Sequence, residues 1–172
     1  FPIYLVKERG MNIMTVSMVA ALPAICGFSG GILGGALSDY LIRRGFTVSF
    51  ARKTPFMIGM VLATAIMAAP FAVSDTAVVV IISLAFFGKG LGAIGWAVVA
   101  DVAPREMPGL SGGVLNGMGN TAGIDTPLVI GFVVASTGSF DRALWFVGAH
   151  GIVAILAYGV LAGRFKRIEL KV

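Results

Sequence analysis

Five apolar stretches, each long enough to cross a bilayer, occupy most of this 172-residue chain, and only short charged connectors part them. They run over residues 14–37, 54–73, 77–100, 109–135 and 143–163. A transmembrane helix needs about 20 mostly apolar residues. Hydrophobic residues make up 58% of the chain and charged residues only 12%, a balance rare in a water-soluble domain. Lipid cannot satisfy open backbone groups, so the spans must be helices. Five such runs lack the even set of short alternating strands a membrane barrel needs. The expected fold class is therefore all-α and integral to the membrane.

Basic residues set the orientation of such a chain. Connector 38–53 carries Arg43, Arg44, Arg52 and Lys53, connector 101–108 carries Arg105, and tail 164–172 carries Arg164, Lys166, Arg167 and Lys171. These nine fall on one side, against Lys7, Arg9 and Arg142 on the other. The bias predicts a cytoplasmic tail, and an odd number of spans takes an outside start to an inside end. Nucleic-acid binding is a poor reading, because the basic residues flank spans and form no single stripe. Residues 1–6 are apolar but too short to cross, and read as the stub of an earlier span. With no Met at position 1, the chain is expected to be a C-terminal piece of a larger protein.

Cys26 is the lone cysteine and His150 the lone histidine, so neither a disulfide framework nor a metal cluster is expected, and no cofactor motif holds. Gly90-Leu91-Gly92-Ala93-Ile94-Gly95 fits the dinucleotide-binding spacing, but it lies inside a span with no strand before it.

Glycine is frequent, at 24 residues, and most fall within spans. Small residues let membrane helices approach closely. The first span carries Gly27, Gly30, Gly31, Gly34 and Gly35, and the fourth Gly112, Gly113, Gly117, Gly119 and Gly123. Two readings stand: tight static packing, or helices that slide and rock as transporters require. Pro23 and Pro127 remove backbone hydrogen bonds and are expected to bend the first and fourth spans.

Lys89 sits near the middle of the third span, where a lysine costs about 2.5–3.5 kcal/mol on insertion scales. Such a residue normally faces a bundle interior or an aqueous cavity. On a continuous helix Trp96, at i+7, would share its face. A cation and an indole on one wall suit an anionic ligand, whereas a lysine paired with a carboxylate would serve assembly only. The fourth span offers Asn116 and Asn120 at helical spacing. By rise per residue, Asn116 lies within about 5 Å of the depth of Trp96, and Asn120 matches Lys89. Amides can bond hydroxyls and carboxylates, or simply join helices. Asp125 is a candidate partner for Lys89 or a proton site.

The first span ends in Gly34-Gly35-Ala36-Leu37-Ser38-Asp39-Tyr40-Leu41-Ile42-Arg43-Arg44-Gly45. This resembles the cytoplasmic signature of the major facilitator superfamily. The resemblance implies a conformational latch in which Asp39 caps a neighbouring helix N-terminus or pairs with Arg43 and Arg44, although Tyr40 stands where a basic residue is frequent. More specific text follows: Phe86-Phe87-Gly88-Lys89-Gly90, Gly95-Trp96-Ala97-Val98-Val99, Gly109-Leu110-Ser111-Gly112-Gly113, Asn116, Gly119-Asn120 and Thr126-Pro127-Leu128-Val129-Ile130-Gly131. These resemble the anion:cation symporter family, and within it the D-glucarate/galactarate carriers.

The resemblance implies helices 8–12 of a twelve-helix carrier, plus the end of helix 7, and so a C-terminal half-bundle. It further implies proton-coupled uptake of sugar acids across a bacterial inner membrane, with Trp96 and Asn116 touching substrate. Ala93 and Gly95 replace hydroxyl residues that some relatives place before the Trp, which points away from galactonate and leaves room for a dicarboxylate. The family's proton-linked acids lie in the N-terminal half, so this stretch alone is not expected to transport. Lys89 would attract the carboxylate, Trp96 stack on the carbon chain, and Asn116 and Asn120 take hydroxyls.

Two rivals belong to other classes. Gly27-Phe28-Ser29-Gly30 with Gly148-Ala149-His150 resembles the Ser and His elements of rhomboid intramembrane proteases, in which Ser29 would be the nucleophile and His150 the base. Rhomboids place one span between the two, and here three intervene. A non-transporting membrane scaffold is the other.

Overall fold

A computed structural model describes residues 1–170; Lys171, counted above among the basic residues, lies outside the described residues. Residues 2–161 of the described chain are helical apart from short connectors, and residues 162–170 carry no regular secondary structure. Its α-helices are α1 (Pro2–Lys7), α2 (Ile13–Val19), α3 (Ala21–Arg43), α4 (Val48–Ala63), α5 (Asp75–Leu91), α6 (Gly95–Val102), α7 (Pro108–Thr137) and α8 (Phe140–Leu156). A 3₁₀ segment, Thr64–Phe71, continues α4, and a π turn, Ala157–Leu161, continues α8. End to end these make five apolar segments of membrane-crossing length: Ile13–Arg43, Val48–Phe71, Asp75–Val102, Pro108–Thr137 and Phe140–Leu161. The chain is a multi-pass membrane protein with an all-α fold.

Local chemistry sets the ends. Asn12 accepts the Met14 amide at 2.8 Å to start α2, Thr47 accepts that of Phe50 at 3.3 Å to start α4, and Ser74 accepts that of Ala77 at 3.2 Å to start α5. Gly138 closes α7 with φ 65°, a left-handed conformation that a side chain would oppose.

The spans also break where the sequence weakens them. Pro23 is the third residue of α3 and brings no amide hydrogen, so the ladder fails at Ala20 and the first span divides into α2 and α3. Pro127 causes no such division, and α7 runs through it from Pro108 to Thr137. The third span divides at residues 92–94, after the glycine-dense run Gly88-Lys89-Gly90-Leu91-Gly92. There the Ile94 amide reaches back only to the Gly92 carbonyl, at 2.8 Å.

Helix α5 is the centre of the bundle. Val78, Val79, Ile82 and Ala85 are buried on it against Tyr4, Leu5, Val16, Ile66, Ala69 and Leu144. Glycines set how close its neighbours come. A Cβ on Gly30 would strike the Phe87 carbonyl, one on Gly34 the Leu91 carbonyl, and one on Gly90 the Gly27 carbonyl. Gly59 and Gly88 face each other in the same way between α4 and α5. Three of the first-span glycines, Gly27, Gly30 and Gly34, are thus spacers for α3 on α5. The fourth span differs: Gly113, Gly117, Gly119 and Gly123 meet nothing within 4 Å, and only Gly112 on α7 is buried. Close static packing therefore describes α3 and leaves most α7 glycines on an open face.

Candidate functional site

Trp96 occupies the first turn of α6 and packs sideways onto α7. A methyl group placed on Gly112 would stand 3.0 Å from Trp96 Cζ3, so the glycine admits the indole edge. Asn116 follows Gly112 by one helical turn and Asn120 by two, on the same face of α7. Both amides are exposed, as is Trp96. The fold thus places the indole and the two amides along one α6–α7 wall. Trp96 also lines a cleft of about 340 Å³ with Arg105, Gly112 and Arg167.

Lys89 lies elsewhere. The break at 92–94 interrupts the helix between α5 and α6, so the i+7 relation to Trp96 expected of a continuous helix is lost. Lys89 lines a separate cleft of about 460 Å³ between α4, α5 and α8, beside Phe86 and His150. Its Nζ stands 6.0 Å from the Phe86 ring centre, at the limit of a cation–π contact. Among the described residues it has no carboxylate partner, and the pairing with Asp125 does not form. Asp125 itself is exposed on α7.

At the basic end the ion pairs differ from those expected. Asp39 is held by Arg52, whose Nη1 donates to Asp39 Oδ1 at 3.1 Å and to the buried Ser38 hydroxyl at 3.0 Å. Arg52 Nε donates to Asp101 Oδ2 at 2.7 Å. One guanidinium therefore joins α3, α4 and α6, which its planar fork allows and an ammonium would not. Arg43 is exposed and makes no ion pair among the described residues, and Arg44 rests 5.0 Å above the Tyr40 ring. The cation on Asp39 is Arg52, not Arg43 or Arg44. The sequence signal for it was the recurrence of Asp39, Arg52 and Asp101 at the same end of three successive spans.

Relatives are informative over nearly the whole chain. It is 54% identical over 171 residues to a probable galactarate/D-glucarate transporter of Bacillus subtilis and 52% identical over 171 residues to one of Escherichia coli, with 99% of the chain covered in each case. A D-galactonate transporter of Escherichia coli is 37% identical over 168 residues, 98% of the chain. Over nearly its whole length the chain is thus similar to galactarate/D-glucarate and D-galactonate transporters. It spans about 38% of the length of the galactarate/D-glucarate relatives and 39% of the galactonate relative. No protein-family model matches it.

These relatives are named transporters and not enzymes, and in this chain the Ser–His pair is not assembled. The Ser29 hydroxyl donates to the Cys26 carbonyl at 2.9 Å, within its own helix. His150 Nδ1 lies 2.8 Å from the Phe146 carbonyl, which can only accept, so that nitrogen carries the hydrogen. Each side chain is engaged locally and neither activates the other. The protease reading fails on this geometry.

Proposed function

We propose that the intact protein is a secondary active transporter that takes up galactarate- and D-glucarate-like sugar acids by alternating access, coupled to a proton. One observation carries the site: Trp96 seated on Gly112, one turn from Asn116 on the same wall. An indole face covers the carbon chain of an aldarate, and amides match its hydroxyls and carboxylates. Asn120 extends the wall by a further turn. Lys89 acts at longer range, as a positive charge without a carboxylate partner among the described residues, raising the potential felt by an anion. The names of the relatives support the substrate class. The nine-to-three excess of basic residues supports an inner-membrane orientation with the tail in the cytoplasm. The open face of α7 faces the rest of the carrier, across the substrate path. The Arg52 junction is the conformational latch of this half, and Asp125 on the exposed α7 face is a second candidate for proton exchange.

Uptake of labelled galactarate by cells expressing the full-length protein tests the reading. Trp96→Ala and Asn116→Ala are each expected to abolish uptake at unchanged membrane expression. Normal uptake by both variants would refute the assignment.

A further inference from the structure

Residues 162–170 cross the basic ends of α4 and α6 without regular secondary structure, yet they are fastened at Ala162, Phe165, Arg167 and Ile168. Lys53 Nζ donates to the Ala162 carbonyl. The Phe165 amide donates to the Ser49 hydroxyl at 2.7 Å, and the Phe165 ring lies 5.5 Å from Lys53 Nζ and 6.0 Å from the Tyr158 ring. The strap then reaches α6. Arg167 Nη2 donates to the Ala100 carbonyl at 2.9 Å and Nη1 to that of Ala103 at 3.1 Å, while the Ile168 amide donates to that of Val102 at 2.9 Å.

A helix leaves its last four carbonyls without partners of its own. In α6 the Val99 carbonyl takes the Ala103 amide at 2.8 Å, and the strap satisfies Ala100 and Val102. Arg167 also brings a cation to the negative end of the helix dipole. The help matters because α6 has eight residues and is cut from α5 at 92–94. A helix that short does not hold its shape unaided. Its other fastening at this end is Asp101 to Arg52.

We propose that Arg167 is a positioning residue for substrate recognition. By holding the far end of α6 it fixes where the first turn presents Trp96 against Gly112. Each terminal guanidinium nitrogen donates to an α6 carbonyl, and through these two bonds Arg167 acts on α6. The proposal rests on the reading of Trp96 as a substrate contact.

The test uses the full-length protein in proteoliposomes, comparing wild type, Arg167→Ala, Arg167→Lys and Trp96→Ala. Amide hydrogen exchange is followed over residues 95–103, with galactarate uptake resolved into KM and kcat. Arg167→Ala is expected to speed exchange in α6 by about tenfold or more while α3 and α5 stay protected. Its KM should rise by a larger factor than its kcat falls. Arg167→Lys keeps the charge but not the two-pronged reach, and should recover part of both effects. Unchanged α6 exchange in Arg167→Ala would overturn the positioning role whatever uptake does. Faster exchange with an unaltered KM would also overturn it, leaving Arg167 a structural cap. Full uptake by Trp96→Ala would instead remove the reading beneath it, and the exchange data would still report on the strap.

Discussion

Arg52 carries the heaviest structural duty of any single side chain described. Its side chain is 11% exposed and is shared between Asp39 and Asp101. Removing it strands the buried Ser38 hydroxyl and leaves the part-buried Asp101 carboxylate unpaired, while water can resolvate the exposed Asp39, and a stranded buried polar group costs about 1–3 kcal/mol. Arg52→Ala should therefore lower the stability of the intact protein by that order, read as a drop in Tm in detergent. Arg43→Ala, at an exposed site without an ion pair among the described residues, should stay within about 0.5 kcal/mol. Equal losses from the two variants would contradict the assignment. Lys89 poses a different question, because its charge is expected to act on substrate without touching it alongside Trp96. Lys89→Ala should raise KM for a dicarboxylate by about tenfold, or ~1.4 kcal/mol, and for a monocarboxylate by clearly less. Equal KM values for both substrates in wild type and variant would reduce Lys89 to an assembly role.

Among the elements, contact between α3 and α5 depends on hydrogen atoms where other residues carry carbon. Gly34→Ala drives a methyl group into the Leu91 carbonyl, so the two helix backbones must part. A loss of about 1–3 kcal/mol is expected, the usual cost of overpacking. Gly31→Ala, whose nearest neighbour would be the Gly90 carbonyl at an ordinary 3.9 Å, should be tolerated. Melting curves of the two variants in the same detergent decide it, and equal destabilisation would contradict the packing. Sequence reading reached this level unevenly. The spans are legible because twenty consecutive apolar residues have few alternatives to a membrane helix. Glycine clustering in the first span is legible as a close-packing face, but which helix it meets is a tertiary fact. Pro23 announces a weak point, though not that the helix divides three residues earlier, at Ala20. The division at 92–94 is harder still, since glycines occur throughout these spans without breaking them. Missing that break placed Lys89 and Trp96 on one face, when they line separate clefts.

Across the whole molecule, the chain builds a bundle around α5 and leaves α7 contacting little beyond α6 and α8. That asymmetry explains why the site is only half legible in the sequence. Helical spacing puts Gly112, Asn116 and Asn120 on one face, and the fold brings Trp96 onto it. The basic-end junctions, in contrast, join residues far apart in sequence: Arg52 with Asp101, Arg167 with Ala100, Phe165 with Ser49. No local pattern marks such pairs, because long-range packing selects them. Together these junctions tie α6, the second part of the third span, to α3, α4 and the tail, and so connect the basic end of the bundle to the Trp96 wall. The central claim is that this wall holds a sugar acid, and calorimetric titration of galactarate into the purified full-length protein tests it most directly. Saturable binding is predicted for the wild type, weakened about tenfold or more in both Trp96→Ala and Asn116→Ala, a change of ~1.4 kcal/mol. Undiminished affinity in both variants would contradict it.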